Sequence, residues 1–212
     1  MLNMKINNEP TFTGINVAKV TDKNIKIYDI TTRDAEFLDN IYKYVKIKHL
    51  MPEISIDGEK VYDSIMKQGL KSAQSNLMHG TILSYNDIVC GFMVENLNKK
   101  KHYLEYICTW PIEKNKKAPF GAQTLFVNMF QNFLNSEKNI AELDAVKYGK
   151  AISLYKKLSY KPVGGDAFFE TMRTTKEKIK NVLIELQEKI PLTPVFNTKD
   201  VDLQAELKIP IE

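Results

Sequence analysis

Arginine is nearly missing from this chain. Arg33 and Arg173 stand alone against an abundance of lysine. A protein that reads nucleic acid concentrates its cations and favours arginine for base edges. Here the net charge is only +4 and the basic residues are scattered, so no nucleic-acid partner is expected. Long apolar runs are also missing. None approaches the roughly 20 residues of a membrane-spanning helix, and the N-terminal MLNMKINNEP has no apolar core of a signal peptide. No membrane partner is expected. Cysteine is scarce: Cys90 and Cys108 sit in strand-like apolar stretches, which favours buried free thiols over a disulfide and fits a reducing cytoplasm. The histidines His49, His79 and His102 are far apart with no ligand spacing, so no metal site is expected.

What is present is enough to build one large domain, or one domain with extensions: 212 residues, 43% hydrophobic. The most informative stretch runs over 103–136. YLEYICTWP, 103–111, is aromatic and β-branched and predicts a strand that Pro111 ends. IEKNKKAPFGA, 112–122, is a lysine-rich turn closing on Gly121 and Ala122. Ala122, Leu125, Phe126, Met129, Phe130, Phe133 and Leu134 then recur at helical period and predict a helix over 122–135. The first N–H groups of such a helix have no partner and carry partial positive charge. Small residues there let a phosphate approach the backbone. Taken alone, the same turn reads equally well as a solvated lysine-rich surface.

Residues 1–23 show no strong period; 11–17 reads as a short strand or an ordered arm, and regular structure is expected from Asn24. IKIYDI, 25–30, alternates as a strand. Thr31, Thr32 and Asp34 offer N-cap chemistry to a helix carrying Leu38, Ile41, Tyr42 and Val45. Pro52 and Gly58 bracket a loop, and a second helix is expected over 59–70. HGTILSY, 79–85, and IVCGFMVEN, 88–96, flank Asn86-Asp87 as a hairpin. With 103–110 they form an antiparallel meander. The helix over 122–135 then carries the chain to IAELDAVK, 140–147; a crossover of this length makes 103–110 and 140–147 parallel. An amphipathic helix over 149–158 and strands over 160–164 and 167–174 follow. A last helix over 176–190, with Ile179, Val182, Leu183, Leu186 and Ile190 on one side, needs cover from the domain or, in a homodimer, from a second copy. The tail to Glu212 lies along the body or is disordered.

This order of elements resembles the GNAT superfamily of acyl-CoA-dependent N-acyltransferases. Three pieces of 24–174 carry the resemblance: LEYICTWP followed by KKAPFGA, the helix leading to AELDAV, and AISLYKKLSYKPVG. The family places a Gln/Arg-x-x-Gly-x-Gly/Ala turn after its fourth strand and an Ala-x-x-Leu-Tyr-x-x-x-Gly-Phe segment later. Here Lys116 replaces Gln/Arg, Pro119 the first glycine, Ser159-Tyr160 the Gly-Phe, and Tyr148 stands where Asn is frequent. Pro119 offers no N–H to a phosphate.

The resemblance implies an α/β (α+β) fold: a mixed, mostly antiparallel central sheet flanked by helices, its parallel pair 103–110 and 140–147 splayed for acyl-CoA. It implies an arm over 1–23, the acetyltransferase domain over 24–174, and a C-terminal helix and tail over 175–212. The implied reaction moves an acetyl group from acetyl-CoA, a co-substrate with no metal, to an amine-bearing acceptor. The pantetheine arm would bond the backbone of Ile107, Cys108 and Thr109. The diphosphate would meet the N–H groups of Lys117, Ala118, Phe120, Gly121 and Ala122, with Lys116 and Lys117 adding charge. Glu105 would be the general base and Tyr155 the general acid. Read without the resemblance, Glu105 is a solvent-facing strand residue, Tyr155 a core aromatic, and Asp144 a ladder residue at the sheet's open edge. A binding or scaffold module of the same fold, without turnover, is the alternative.

Overall fold

The computed structural model describes residues 12–45, 55–56, 59–113, 116–147, 151–195 and 207–209. Pro52, Gly58 and Tyr148 lie outside them. The chain runs β1 (Ile15–Val20), β2 (Ile25–Asp29), α1 (Ala35–Tyr44), β3 (Ser55–Ile56), β4 (Glu59–Lys60), α2 (Val61–Ala73), β5 (His79–Tyr85), β6 (Ile88–Asn96) and β7 (His102–Thr109). It continues with α3 (Gly121–Asn135), β8 (Ile140–Val146), α4 (Ala151–Lys157), β9 (Lys161–Gly165), β10 (Phe169–Thr175), α5 (Lys176–Lys189) and β11 (Thr193–Pro194).

Among the described residues one sheet holds nine strands in the order β11-β1-β2-β5-β6-β7-β8-β10-β9, and β3–β4 is a separate ribbon. Every pair in the large sheet is antiparallel except β7–β8, which is parallel and joined through α3. A parallel pair needs such a crossover, whereas β5–β6 needs only a two-residue turn. Asn86 and Asp87 supply that turn, with φ of 52° and 61°, the left-handed pair a type I′ hairpin requires.

Two expectations need correction. Among the described residues regular structure is already present at Ile15, ahead of Asn24, because β1 adds to the sheet against β2. Its own sequence shows no clear alternation; the partner strand decides it. The second helix starts at Val61 rather than Glu59, since Glu59 and Lys60 pair with β3. The capping residues behave as expected. The Thr31 side chain accepts from the Arg33 N–H at 3.3 Å, and Asp34 accepts from the Thr31 N–H at 2.7 Å, a capping box.

The sheet is covered on both faces. Against one lies a core containing Phe37, Leu38 and Ile41 of α1 and Met66 and Leu70 of α2. Against the other lie Leu125, Phe126, Met129, Phe130 and Phe133 of α3 with Tyr155 of α4. Val127 and Asn128 of α3 are buried too, although they fall outside the apolar stripe read from sequence. The reason is α5, which lays Ile179, Leu183 and Leu186 on the same core. A helix enclosed from two sides is buried nearly all round. The stripe of α5 is thus covered within the chain. Beyond it β11 pairs with β1, and the Lys208 carbonyl accepts from the Val89 N–H at 2.8 Å. Among the described residues no helix is long and apolar enough to cross a membrane.

A buried charged array ties β2, β5, β6 and β7 together. His79 Nε2 donates to Asp29 Oδ1 at 3.0 Å and His79 Nδ1 to Glu95 Oε2 at 3.1 Å. The other Glu95 oxygen accepts from His102 Nε2. Glu95 and His102 are each 1% exposed. Hydrogen bonds to Asp29 and Glu95 push His79 up to about 10, against the lowering effect of burial. Burial works to raise Glu95, but the hydrogen bonds from His102 and His79 outweigh it and hold the carboxyl below its ordinary value.

The signs of these shifts set a pH window. A raised His79 stabilises fully below its ordinary 6.5, and that stability is lost as pH climbs through about 10. A lowered Glu95 stabilises above its ordinary 4.5 and loses that contribution as pH falls below it. The melting temperature should therefore decline as pH rises from 6.5 toward 10. His79→Ala should flatten that decline and cost ~3 kcal/mol at neutral pH, the scale of breaking a buried ion pair. A wild-type melting temperature that is level across the window would deny the array this role.

Candidate functional site

Pairing between β7 and β8 covers only His102↔Ala141, Tyr103↔Glu142 and Leu104↔Leu143. Beyond Leu104 the strands part, although β7 runs on to Thr109 and β8 to Val146. The cause is visible on the other side of β7. Val94 of β6 faces Tyr106 and Glu95 faces Leu104, so Glu105 is the extra residue of a β-bulge. A bulge bends its strand, re-aims side chains and ends local pairing. It also changes the parity of β7. Leu104 joins the core under α3 while Tyr106 packs in the core under α2, although two residues apart on a regular strand would share a face.

Between the parted strands lies a cavity of about 690 Å³, lined among others by Glu105, Ile107, Asp144, Tyr155 and Phe168. Its backbone edge follows from the β6–β7 ladder. Trp110 N–H donates to Cys90 O at 2.9 Å, and Cys108 faces Phe92 in the same register. Alternation along an antiparallel ladder then turns the backbone groups of Cys108 toward β6 and those of Ile107 and Thr109 toward the gap.

Three elements wall this cavity. The first is α2, which comes close to the sheet because Gly69 carries no side chain; a Cβ there would meet the Phe92 ring at 2.6 Å and Tyr106 Cβ at 3.0 Å. The second is α4, which ends with Ser159 at φ 64°. Tyr160 N–H donates to Tyr155 O and Ser159 N–H to Lys156 O, both at 3.0 Å. This is a Schellman motif, and its usual apolar contact is the Tyr155–Tyr160 ring pair, 6.2 Å between centroids. The Tyr155 ring also lies 5.9 Å from that of Phe126, so its position is set by the helix end and the core together. The third wall is the β9–β10 hairpin. Gly165 has φ 135°, and a Cβ there would lie 2.3 Å from the Phe169 carbonyl oxygen. Asp166 accepts from the N–H groups of Phe168 and Phe169, each at 2.8 Å, and these bonds hold its carboxyl below its ordinary value.

The turn leading to α3 lies beyond the end of β7. Lys116 N–H donates back to Glu113 O at 2.9 Å and its ammonium sits 3.2 Å from Glu113 Oε1. By contrast, no hydrogen bond among the described residues takes the N–H groups of Lys117, Ala118, Phe120, Gly121 or Ala122. Among the described non-glycine residues with positive φ, Phe120 at 57° is the bulky exception; the others are Asn24, Asn86, Asp87 and Ser159. A bulky left-handed residue stores backbone strain of about 1–3 kcal/mol, and such strain gathers where a ligand is clamped.

No protein-family model and no curated protein matches this sequence. Solved structures do. FdhC, a nucleotide-linked sugar GNAT, matches at TM-score 0.56 and 13% identity, over 84% of this chain and 98% of that one. PaiA N-acetyltransferase from Thermoplasma acidophilum, in complex with coenzyme A, matches at TM-score 0.55 and 16% identity, over 71% and 98%. Spermidine N-acetyltransferase from Vibrio cholerae, in complex with CoA and spermine, matches at 0.50 and 15%, over 74% and 99%. The chain has a GNAT fold. At these identities the likeness is one of fold.

Within this GNAT fold, Glu105 and Tyr155 come to one cavity although 50 positions separate them in the sequence. Glu105 Oε1 accepts from Asn96 Nδ2 at 3.0 Å and pairs with Lys99 Nζ at 2.9 Å. Ile107 lines the same cavity. Cys108 is apart from it: the side chain is buried under α2, where burial pushes the thiol up to about 12. Gly121 is the first residue of α3, where a Cβ would come no nearer than 3.7 Å to Thr109. Sequence reasoning passed over Asp144. It lines the cavity and accepts from the Tyr103 hydroxyl at 2.5 Å and from Thr171 Oγ1 at 2.7 Å. Burial and the Asp144 carboxylate both push the Tyr103 phenol up. Nothing in the local sequence signals that triangle, since Tyr103, Asp144 and Thr171 lie on three strands.

The close approach of α2 at Gly69 gives a direct check on this wall. Gly69→Val should overpack the Phe92–Tyr106 contact and destabilise by about 1–3 kcal/mol, read as a lower melting temperature. An unchanged melting temperature would mean that α2 is not seated on the sheet this way.

Proposed function

We propose that the protein is an N-acetyltransferase that moves an acetyl group from acetyl-CoA to a primary amine, on a small molecule or on a peptide or protein. The observation that carries this reading is the open cavity between β7 and β8, with Glu105 and Tyr155 both on its walls. A collapsed, filled gap between these strands would have favoured a binding or scaffold module of the same fold without turnover. PaiA with coenzyme A and the spermidine enzyme with CoA and spermine support the choice of donor and of an amine acceptor.

The parts divide as follows. The N–H groups of Lys117, Ala118, Phe120, Gly121 and Ala122 hold the diphosphate at the positive end of α3, and the charges of Lys116 and Lys117 add to the attraction. Pro119 contributes nothing there. The backbones of Ile107 and Thr109 face the pantetheine arm. Acetyl-CoA supplies a thioester carbonyl open to attack by a neutral amine. Glu105 removes the proton from the acceptor ammonium; its Oε2 carries no hydrogen bond among the described residues. Tyr155 protonates the departing sulfur. An acid and a base placed in this way each contribute about 10²–10⁴-fold in rate.

Two measurements bear on this. Gly121→Glu sets a carboxylate at the diphosphate in a place where a side chain meets only ordinary contact. Calorimetry should show acetyl-CoA affinity reduced by more than about tenfold, or ~1.4 kcal/mol; unchanged affinity would move the coenzyme elsewhere. Glu105→Gln and Tyr155→Phe should each lower kcat about 10²–10⁴-fold while acetyl-CoA binding persists. Tyr155→Phe keeps the ring contacts with Phe126 and Tyr160, so the variant should stay folded. Full activity in either variant would remove that residue from the chemistry.

A further inference from the structure

The carboxylate assigned as base already touches an amine, and the amine belongs to the chain. Lys99, in the turn between β6 and β7, places Nζ 2.9 Å from Glu105 Oε1 and 3.4 Å from the centroid of the Tyr103 ring. Glu105 and Tyr103 both line the cavity. A carboxylate beside an aromatic face is a general means of holding an ammonium group. Two nearby lysines are committed elsewhere: Lys101 Nζ lies 2.7 Å from Glu142 Oε2, and Lys138 donates to the Leu97 carbonyl. The Lys99 side chain is 45% exposed, whereas that of Glu105 is 19% exposed. A solvated lysine thus reaches inward to a half-sheltered carboxylate.

We propose that Lys99 is an acetyl acceptor in cis, so that the enzyme modifies its own site. The inference rests on the N-acetyltransferase reading above. Glu105 takes a proton from the Lys99 ammonium. The neutral Nζ attacks the thioester carbonyl carbon, the nitrogen–carbon bond forms and the carbon–sulfur bond breaks. Nζ loses a second proton through Glu105 to solvent, and Tyr155 gives its proton to the thiolate and regains one from water. The products are acetyl-Lys99, free coenzyme A and one proton net. Acetylation removes the lysine charge, so the contacts with Glu105 and Tyr103 are released and that end of the cavity opens to a free amine.

The test incubates the full chain with acetyl-CoA and no other amine, followed by intact-mass measurement and peptide mapping. One acetyl group should appear on Lys99, at a rate that does not change when the protein is diluted. Glu105→Gln should slow it about 10²–10⁴-fold. Lys99→Arg, an exposed and charge-preserving change, should abolish it while calorimetry still shows acetyl-CoA binding. Unmodified Lys99 in a protein that binds acetyl-CoA would overturn the inference and leave the enzyme reading standing. Equal modification in Glu105→Gln would also overturn it, as uncatalysed acetylation. Failure of the wild-type chain to bind acetyl-CoA would bring down both.

Discussion

The structure depends on a single irregularity in its central strand. The bulge at Glu105 ends the β7–β8 ladder after Leu104↔Leu143. Backbone groups left unpaired inside a sheet are costly unless something else takes them. A fold that keeps such a gap therefore keeps it for a ligand or for water. The same bulge flips the facing of Tyr106 and exposes the edge at Ile107 and Thr109. The cavity, the placement of Glu105 on its wall and the open backbone edge thus share one cause.

The two ends of β7 are built in opposite ways. At its start, charge is locked in. Glu95 lies between His79 and His102, and Glu142 is held by Lys101 and Arg173 with its carboxyl below its ordinary value despite burial. At the bulge itself stands Glu105, whose partners are a surface lysine and an amide. Buried charge is tolerable where every partner is present and costly where one is lost. The locked end suits a fixed pivot from which strands diverge, and the open end suits exchange of partners.

Much of this was legible in the sequence. The Asn86-Asp87 hairpin, the parallel crossover around the long apolar helix, and the two amphipathic helices that follow all form where periodicity and turn chemistry place them. These signals are local: a side-chain period, a capping residue, a turn pair. The strand β1 was legible only in part: 11–17 reads as a short strand or an arm, while its extent, Ile15–Val20, comes from pairing with β2 and β11 on either side. The full burial of α3 was not legible, since it needs α5 to cover its second face.

For the site, the sequence by itself determined which groups were available: a carboxylate in a central strand, a tyrosine on a later helix, and a lysine-rich turn with small residues at a helix start. Tertiary structure alone decided their relations. It brought Glu105 and Tyr155 to one cavity, turned Cys108 away from it, and added Asp144 through Tyr103 and Thr171. It also joined His79 and His102, read as unrelated, through Glu95. The physical reason is that facing and distance across strands follow from register, and register here hangs on one extra residue. Strict alternation puts Leu104 and Tyr106 on one face; the bulge separates them, and no local period in YLEYICTWP records it.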